Sequence, residues 1–351
     1  MRAARGGLTL VSMEIDLTAL DPADQPTVAS VQALRVAAEA VDIPDFPAPC
    51  PYVFRGQLAH HGTAKRHERY VARADGEVAG YLELELPLRD NLENADAHLV
   101  VDPAWRRRGV GRALHDLLLE RLHEVGRKRY AAATVEALPG GPARQESGRQ
   151  FAAVIGAKSA LDEVRRRLDL STVDDPGYAD LWRQARAKST GYELVSFGDH
   201  TPDQFVADVA YLDSRLVSDA PMGELAWEVP NIDAQRVRER EDVLRKCRWQ
   251  VYSTGAVDQA TGRMVALTAM ASQSTSPWHA FQWITLVDPA HRGHRLGLLT
   301  KLENWRIARE QEPQLRVVDT WNAAVNQHMI AINEAMGFRP VDSWVNWQYT
   351  L

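Results

Sequence analysis

Apolar and polar positions fall into two long runs that repeat one order of elements. Val28–Val41 has helical spacing and leads into a proline-rich loop, Ile43–Pro51. Strand-like runs follow at Arg69–Ala74 and Val78–Leu86, joined by Asp75-Gly76-Glu77, a hairpin signal. His98–Val101 reads as a third strand. Gly111–Arg127 reads as a helix with Leu114, Leu117, Leu118 and Leu122 on one face. Tyr130–Glu136 is strand-like, Gln145–Ile155 helical and Glu163–Leu170 strand-like again. Ser171–Lys188, with Asp174-Asp175-Pro176-Gly177, reads as a linker.

Beyond it the order recurs. Thr201–Val217 and Asp233–Lys246 are helical, and Trp249–Ala256 and Met264–Ser272 are strands around the turn Asp258–Gly262. Phe281–Val287, Gly297–Arg309, Leu315–Trp321, Val325–Met336 and Trp344–Leu351 then alternate strand and helix. The prediction is an α/β protein of two fused units, residues 13–170 and 189–351, joined by residues 171–188. Residues 1–12 read as a disordered leader, too short in their apolar part for a signal-peptide core. Eight of the ten tryptophans lie beyond residue 190, so the two units have diverged in their pockets.

Composition narrows the function. A chain of 351 residues is long for one core, and 45% hydrophobic with 25% charged residues is globular composition. A net charge of −6 excludes the basic footprint of a general nucleic-acid binder. Cys50 and Cys247 fall in different halves, so no disulfide framework is expected, and the chain reads as cytoplasmic. No apolar run reaches membrane-spanning length, and no His/Cys/Asp/Glu cluster has metal-ligand spacing.

One motif occurs twice. Val101-Asp102-Pro103-Ala104 runs through Trp105 into Arg106-Arg107-Arg108-Gly109-Val110-Gly111-Arg112. Val287-Asp288-Pro289-Ala290 runs through His291 into Arg292-Gly293-His294-Arg295-Leu296-Gly297-Leu298. A strand, a basic glycine turn and a helix start can hold a polyanion, because free N–H groups and arginines converge there. Neither copy ends in the Gly-Lys-Ser/Thr of a Walker turn, and neither follows a first strand as a dinucleotide fingerprint does. Arg295 stands where a first glycine is usual and still presents its N–H if its φ is ordinary.

These turns, with Asn322-Ala323-Ala324-Val325-Asn326 and Asn333-Glu334-Ala335-Met336-Gly337-Phe338, resemble the GNAT acetyltransferase superfamily in a tandem, mycothiol-synthase-like arrangement. The resemblance implies two fused GNAT-like domains, each with a mixed, mostly antiparallel sheet flanked by helices. It implies binding of acetyl-CoA or another short acyl-CoA at Leu286, Val287, Arg292, Gly293, His294, Arg295, Leu296, Gly297, Leu298 and Asn326. In the first unit the matching positions are Val101, Arg106, Arg107, Arg108, Gly109, Val110, Gly111 and Arg112. The Val287 N–H would polarise the thioester carbonyl.

The second unit keeps the closing helix and is the expected catalytic one. The family's usual tyrosine acid is replaced there by Asn333, which leaves Tyr252, Tyr349, His328 or water for the thiolate. His279 is a candidate base. Asp219, Glu224, Trp227 and Glu228, with Asn322, are expected to line an acceptor pocket, Glu228 also as a base. The acceptor is expected to be a small molecule with a primary amine: an amino sugar, an amino acid derivative or a natural-product intermediate. Direct transfer in a ternary complex is expected, by a monomer or homodimer without nucleic-acid or membrane partners. Two alternatives stand: a catalytic first unit, where Glu136 is available as base, and a CoA-binding scaffold that does not catalyse.

Overall fold

The computed structural model describes residues 14–351; the leader read at residues 1–12 lies outside them. The first half runs β1 (Ile15–Ala19), α1 (Gln25–Asp42), α2 (Pro51–Ala59), β2 (Lys65–Ala74), β3 (Glu77–Pro87), β4 (Asn94–Val101), α3 (Val110–Glu124), β5 (Arg129–Ala137), α4 (Ser147–Ile155) and β6 (Lys158–Asp169). The second runs α5 (Asp175–Lys188), β7 (Tyr192–Phe197), α6 (Val206–Ser214), α7 (Leu216–Asp219), α8 (Ala234–Lys246), β8 (Trp249–Asp258), β9 (Met264–Gln273), β10 (His279–Val287), α9 (Leu296–Gln311), β11 (Val317–Ala323), α10 (Gln327–Ala335) and β12 (Arg339–Thr350). The sequence pattern misses β1, α2 and β7. What reads as a linker is mostly α5, started by the Asp174 side chain on the Gly177 N–H and packed on α9 through Tyr178 and Trp305, 4.4 Å apart.

Both halves are α/β, yet among the described residues they share one sheet of 12 strands, in the order β1-β2-β3-β4-β5-β12-β6-β11-β10-β9-β8-β7. The last strand of each half is exchanged. β12 lies antiparallel between β5 and β6, from Thr350 opposite Arg129 to Asp342 opposite Ala137. β6 pairs with β11 along its length, Asp169 to Val317 and Glu163 to Ala323. Strands alternate their side chains between faces, so the sheet carries two distinct cores in each half. In the first half Leu114, Leu118 and Leu122 of α3 cover Leu82 and Leu84, while α1 and α2 cover Val71 and Tyr81 on the opposite face. In the second, α9 covers Tyr252, Met270 and Val318, and α6 covers Leu267 and Leu286.

Where the halves interlock, three arginines meet three aspartates. Arg165 of β6 is fully buried, 2.5 Å from Asp342 of β12, 3.0 Å from Asp319 of β11 and 3.0 Å from Asp45 of the α1–α2 loop. Arg144 bridges Asp45 and Asp342 at 2.5 and 2.9 Å, and Arg167 reaches Asp319 at 2.7 Å. The charges balance, and hydrogen bonding to the arginines and to His279 holds Asp319 ionised against its burial. Such a cluster is costly to break, because removing one partner strands another buried charge. Asp342→Ala is therefore expected to lower the unfolding free energy by about 3–5 kcal/mol in urea titrations. Removing the exposed Asp203, which pairs with Arg238 on the surface, is expected to cost under about 1 kcal/mol.

Candidate functional site

Both turns are built alike. Asp102 accepts from the Ala104 N–H at 2.8 Å and Asp288 from the Ala290 N–H at 2.9 Å, which starts a single 3-10 turn at the proline. Two left-handed residues then aim the chain into the helix: Arg107 (φ 64°) and Gly109 (φ 95°) in the first copy, Gly293 (φ 87°) and Arg295 (φ 56°) in the second. Each copy spends one glycine and one arginine on these positions, in opposite order. The condition set for Arg295, an ordinary φ, is not met: an arginine accepts a strained backbone there, at about 1 kcal/mol or more. A Cβ on Gly111 would lie 3.4 Å from Phe151, and one on Gly297 3.5 Å from Val287 and 3.6 Å from Ile332.

The turns differ in access and charge. Arg106 is committed to structure, bidentate to Asp42 at the end of α1 (2.7 Å twice). Arg107, Arg108 and Arg112 are exposed and have no carboxylate partner among the described residues. At the second turn Arg292 is paired with Asp219 at 3.1 Å, which also binds Arg215 at 2.7 Å. The end of α5 lies against this turn: Ser189 donates to the His294 carbonyl at 2.7 Å, and Arg295 donates to Gln184 at 3.3 Å. His291 is engaged by Tyr192 at 2.9 Å. Leu296, Gly297 and Leu298 are buried, whereas Gly111 is only half-buried.

Both halves fork beside their turn. β4 and β5 are parallel from Asn94–Arg129 to Asp96–Ala131 and then separate. β10 and β11 are parallel from His279–Val317 to Gln282–Thr320, and β10 bulges between Gln282 and Thr285. Beyond each fork the freed edge of β4 or β10 can pair with an extended ligand.

On the face that carries α1 and α6, the second fork is filled. Phe46, from the α1–α2 loop of the first half, makes edge contacts with His279, Phe281 and Trp321 at 5.4, 5.7 and 5.9 Å. His279 is fully buried, 2.9 Å from Asp319, and burial lowers its pKa. It is a neutral member of the junction cluster and not an accessible base. Tyr252 lies on the opposite face and donates to Glu312 at 2.6 Å; burial first, then Glu312, raise its pKa far above neutrality. Asn333 is buried, donating to Asn322 at 2.5 Å and accepting from Lys301 at 2.6 Å. Burial lowers Lys301 to about 7. Asn326 caps α10 on the Met329 N–H. Tyr349 stacks on Tyr130 of the first half.

The acidic loop also departs from expectation. Instead of lining the second fork, Glu224, Trp227 and Glu228 ride on a segment docked on the first half. The Glu224 N–H meets the Ala160 carbonyl at 2.7 Å, and Glu228 exchanges backbone hydrogen bonds with the Asn91 side chain at 2.6 and 3.0 Å. The residues expected around the second turn are therefore not brought together.

The first fork gathers groups the sequence reading missed. Asp96 and His98 alternate on β4 and share a face with Glu83 and Glu85, opposite them on β3. Burial, outweighing Lys65 and helped by Glu85, raises Asp96 to about 6. Glu39 of α1 is raised by burial to about 7. Glu83, despite its burial, is held at about 2 by the His67 hydrogen bond and Arg69. Asp96 and His98 make no side-chain hydrogen bond among the described residues, and His98 remains exposed. Their signal in sequence is the polar residue at every second position of Asn94-Ala95-Asp96-Ala97-His98, just ahead of the turn. Glu136, the base expected for this half, faces the other side, 3.9 Å from Arg149 of α4.

Residues 34–139 match the acetyltransferase (GNAT) family model. A mycothiol acetyltransferase of Geodermatophilus obscurus is 40% identical over 110 residues, 31% of this chain and 32% of that protein. The matched stretch thus spans about a third of that relative. A tandem GNAT protein from the clavulanic acid biosynthesis pathway, solved without AcCoA, is 32% identical over 96% of this chain and 98% of its own, with a TM-score of 0.81. A GCN5-related N-acetyltransferase from Sphaerobacter thermophilus shares the fold at 15% identity, with 96% and 95% of the two chains covered and a TM-score of 0.62.

The left-handed arginines predict an asymmetry in stability. Arg295→Gly is expected to stabilise by about 0.5–1 kcal/mol, strain relief outweighing the added chain entropy. Gly109→Ala is expected to destabilise by about 1–2 kcal/mol, both read from thermal midpoints.

Proposed function

The chain belongs to the GNAT acetyltransferase family, and from that premise we propose that it transfers an acetyl group from acetyl-CoA to a primary amine of a small molecule. We place the reaction in the first half, not the second. The observation that carries this choice is the contrast between the forks. At the first turn Arg107, Arg108 and Arg112 are exposed without a carboxylate partner among the described residues, while at the second Arg292 is tied to Asp219 and the acceptor face of the fork is filled by Phe46.

The residues of the first turn suit the cofactor. Arg107, Arg108 and Arg112 would hold its phosphates together with the N–H groups of Gly109, Val110 and Gly111. The freed edge of β4 would pair with the pantetheine, which supplies the thioester. The acceptor reacts as its neutral amine, an ammonium having lost a proton to water. Its nitrogen lone pair attacks the thioester carbonyl, and Asp96 takes one proton from that nitrogen. The adduct collapses to the amide as the C–S bond breaks with its electrons on sulfur, the thiolate then taking the proton from Asp96 through water. A backbone N–H of β4 near His98, at the fork end of the strand, stabilises the oxyanion. A carboxylate raised to about 6 is ionised at neutral pH and still basic enough to accept the proton. Glu39 and His98 set the charge around it. The second half, in this reading, is a partner that completes the sheet.

Among the described residues no helix is long and apolar enough to cross a membrane, and no group of side chains could hold a metal ion. The proposal predicts that charge reversal of the exposed Arg108 and Arg112 to Glu raises the acetyl-CoA KM for thiol release at least about tenfold, while Arg295→Glu on the exposed second turn leaves it within about threefold. An effect of Arg295→Glu alone would return the reaction to the second half. A base that works ionised also fixes the pH profile: kcat/KM should fall as pH drops through about 6. Asp96→Asn should lower kcat about 10²–10⁴-fold and remove that limb.

A further inference from the structure

The two halves exchange loops as well as strands. The α1–α2 loop of the first half carries Asp45 and Phe46 onto the second half, where they seal the junction. The corresponding loop of the second half, between α7 and α8, crosses in the other direction. Its anchors are specific. Asn91 holds both backbone groups of Glu228, and Asn94 donates to the Ala226 carbonyl at 2.7 Å. Gln348 of β12 accepts from the Ala226 N–H at 2.9 Å, and Asp90 accepts from the Asn231 N–H at 3.0 Å. A salt bridge from Arg236 to Asp90 at 2.5 Å closes the interlock.

These anchors place the loop at the start of β4. Asn94 and Asp96 are two residues apart, and Gln348 pairs with Ala131, the β5 residue opposite Asp96 where the fork opens. The turn lies at the other end of β4. A pantetheine running from the turn along β4 brings its thioester toward the fork, so an acceptor must enter from the end where this loop sits.

We propose that residues 224–228 of the second half form the acceptor-binding wall of the first half's site. The inference rests on the acyl-transfer reading above. Trp227, half-buried, offers an apolar or cation–π surface, and Glu224 and Glu228 are exposed with no salt-bridge partner among the described residues. With Asp96 they make the entrance suited to an ammonium group on a flat or apolar body. The acceptor class is a cationic primary amine with an aromatic or otherwise apolar framework. Phe46 does the opposite at the second fork: there the exchanged loop fills the space instead of bordering it.

The test uses the full chain and four probe amines: tyramine, tryptamine, glucosamine and cadaverine. Thiol release and calorimetric binding in the presence of CoA are measured for wild type, Trp227→Ala and Glu228→Gln, with Glu310→Gln on α9 as a control. The expected result is a preference for tyramine or tryptamine, with amine KM and Kd raised about tenfold in both loop variants. Acetyl-CoA KM should stay within twofold and the control unchanged. An unaltered amine KM and an unaltered order of amines in the loop variants would overturn the inference. So would a wild type that binds none of the four amines with CoA bound. Absence of CoA binding itself, or amine binding without thiol release, would instead sink the acyl-transfer reading; in the latter case the Kd comparison still decides whether the loop is the wall.

Discussion

Three arginines and three aspartates paired at one junction, with Arg165, Asp319 and Asp342 fully buried, hold this molecule in its arrangement. Arg165 joins the last strand of the first half to the last strand of the second, and Asp45 adds the loop between α1 and α2. An isolated charge at that depth is prohibitively unfavourable, so the members are stable only as a set. Because the set draws on β6, β11, β12 and a distant loop, it forms only when strands and loop have crossed over. The cluster thus specifies the exchange, and the exchange decides which fork stays open.

The same constraint fills the second fork on the face that carries α1 and α6. Asp319 of β11 and His279 of β10 lie 2.9 Å apart there. They serve the cluster, and Phe46 covers them. In the first half the matching face has its own ion pairs at Glu83 and Glu85, while Asp96 and His98 make no side-chain hydrogen bond among the described residues and burial raises the Asp96 pKa.

The repeated turn, the order of elements and the family were legible in the sequence. Val-Asp-Pro-Ala followed by a basic glycine turn has a local physical cause, the aspartate cap and two left-handed residues, and local causes survive in sequence. The exchange was not legible. Arg165, Asp319 and Asp342 are far apart along the chain, and nothing in a strand's own alternation names its neighbour. The Asp219–Glu228 loop was read from its composition as an acceptor wall of its own unit, and its docking on the first half was not foreseeable because that reading assumed each unit closes on itself. The burial of Asn333 and Tyr252 and their partners Lys301 and Glu312 were likewise invisible in sequence.

The position of β12 has a consequence for synthesis. β5 acquires its neighbour only when residues 342–350 have left the ribosome, long after the rest of the first half is complete. At 5–20 residues per second the interval is roughly 10–40 s. Throughout it, β5 presents an unpaired edge, and Arg165 waits for two of its partners. An open edge of that kind invites pairing with another nascent chain. Residues 342–350 are therefore the ones that close the first half, and a chain cut short before them leaves both halves without a finished sheet.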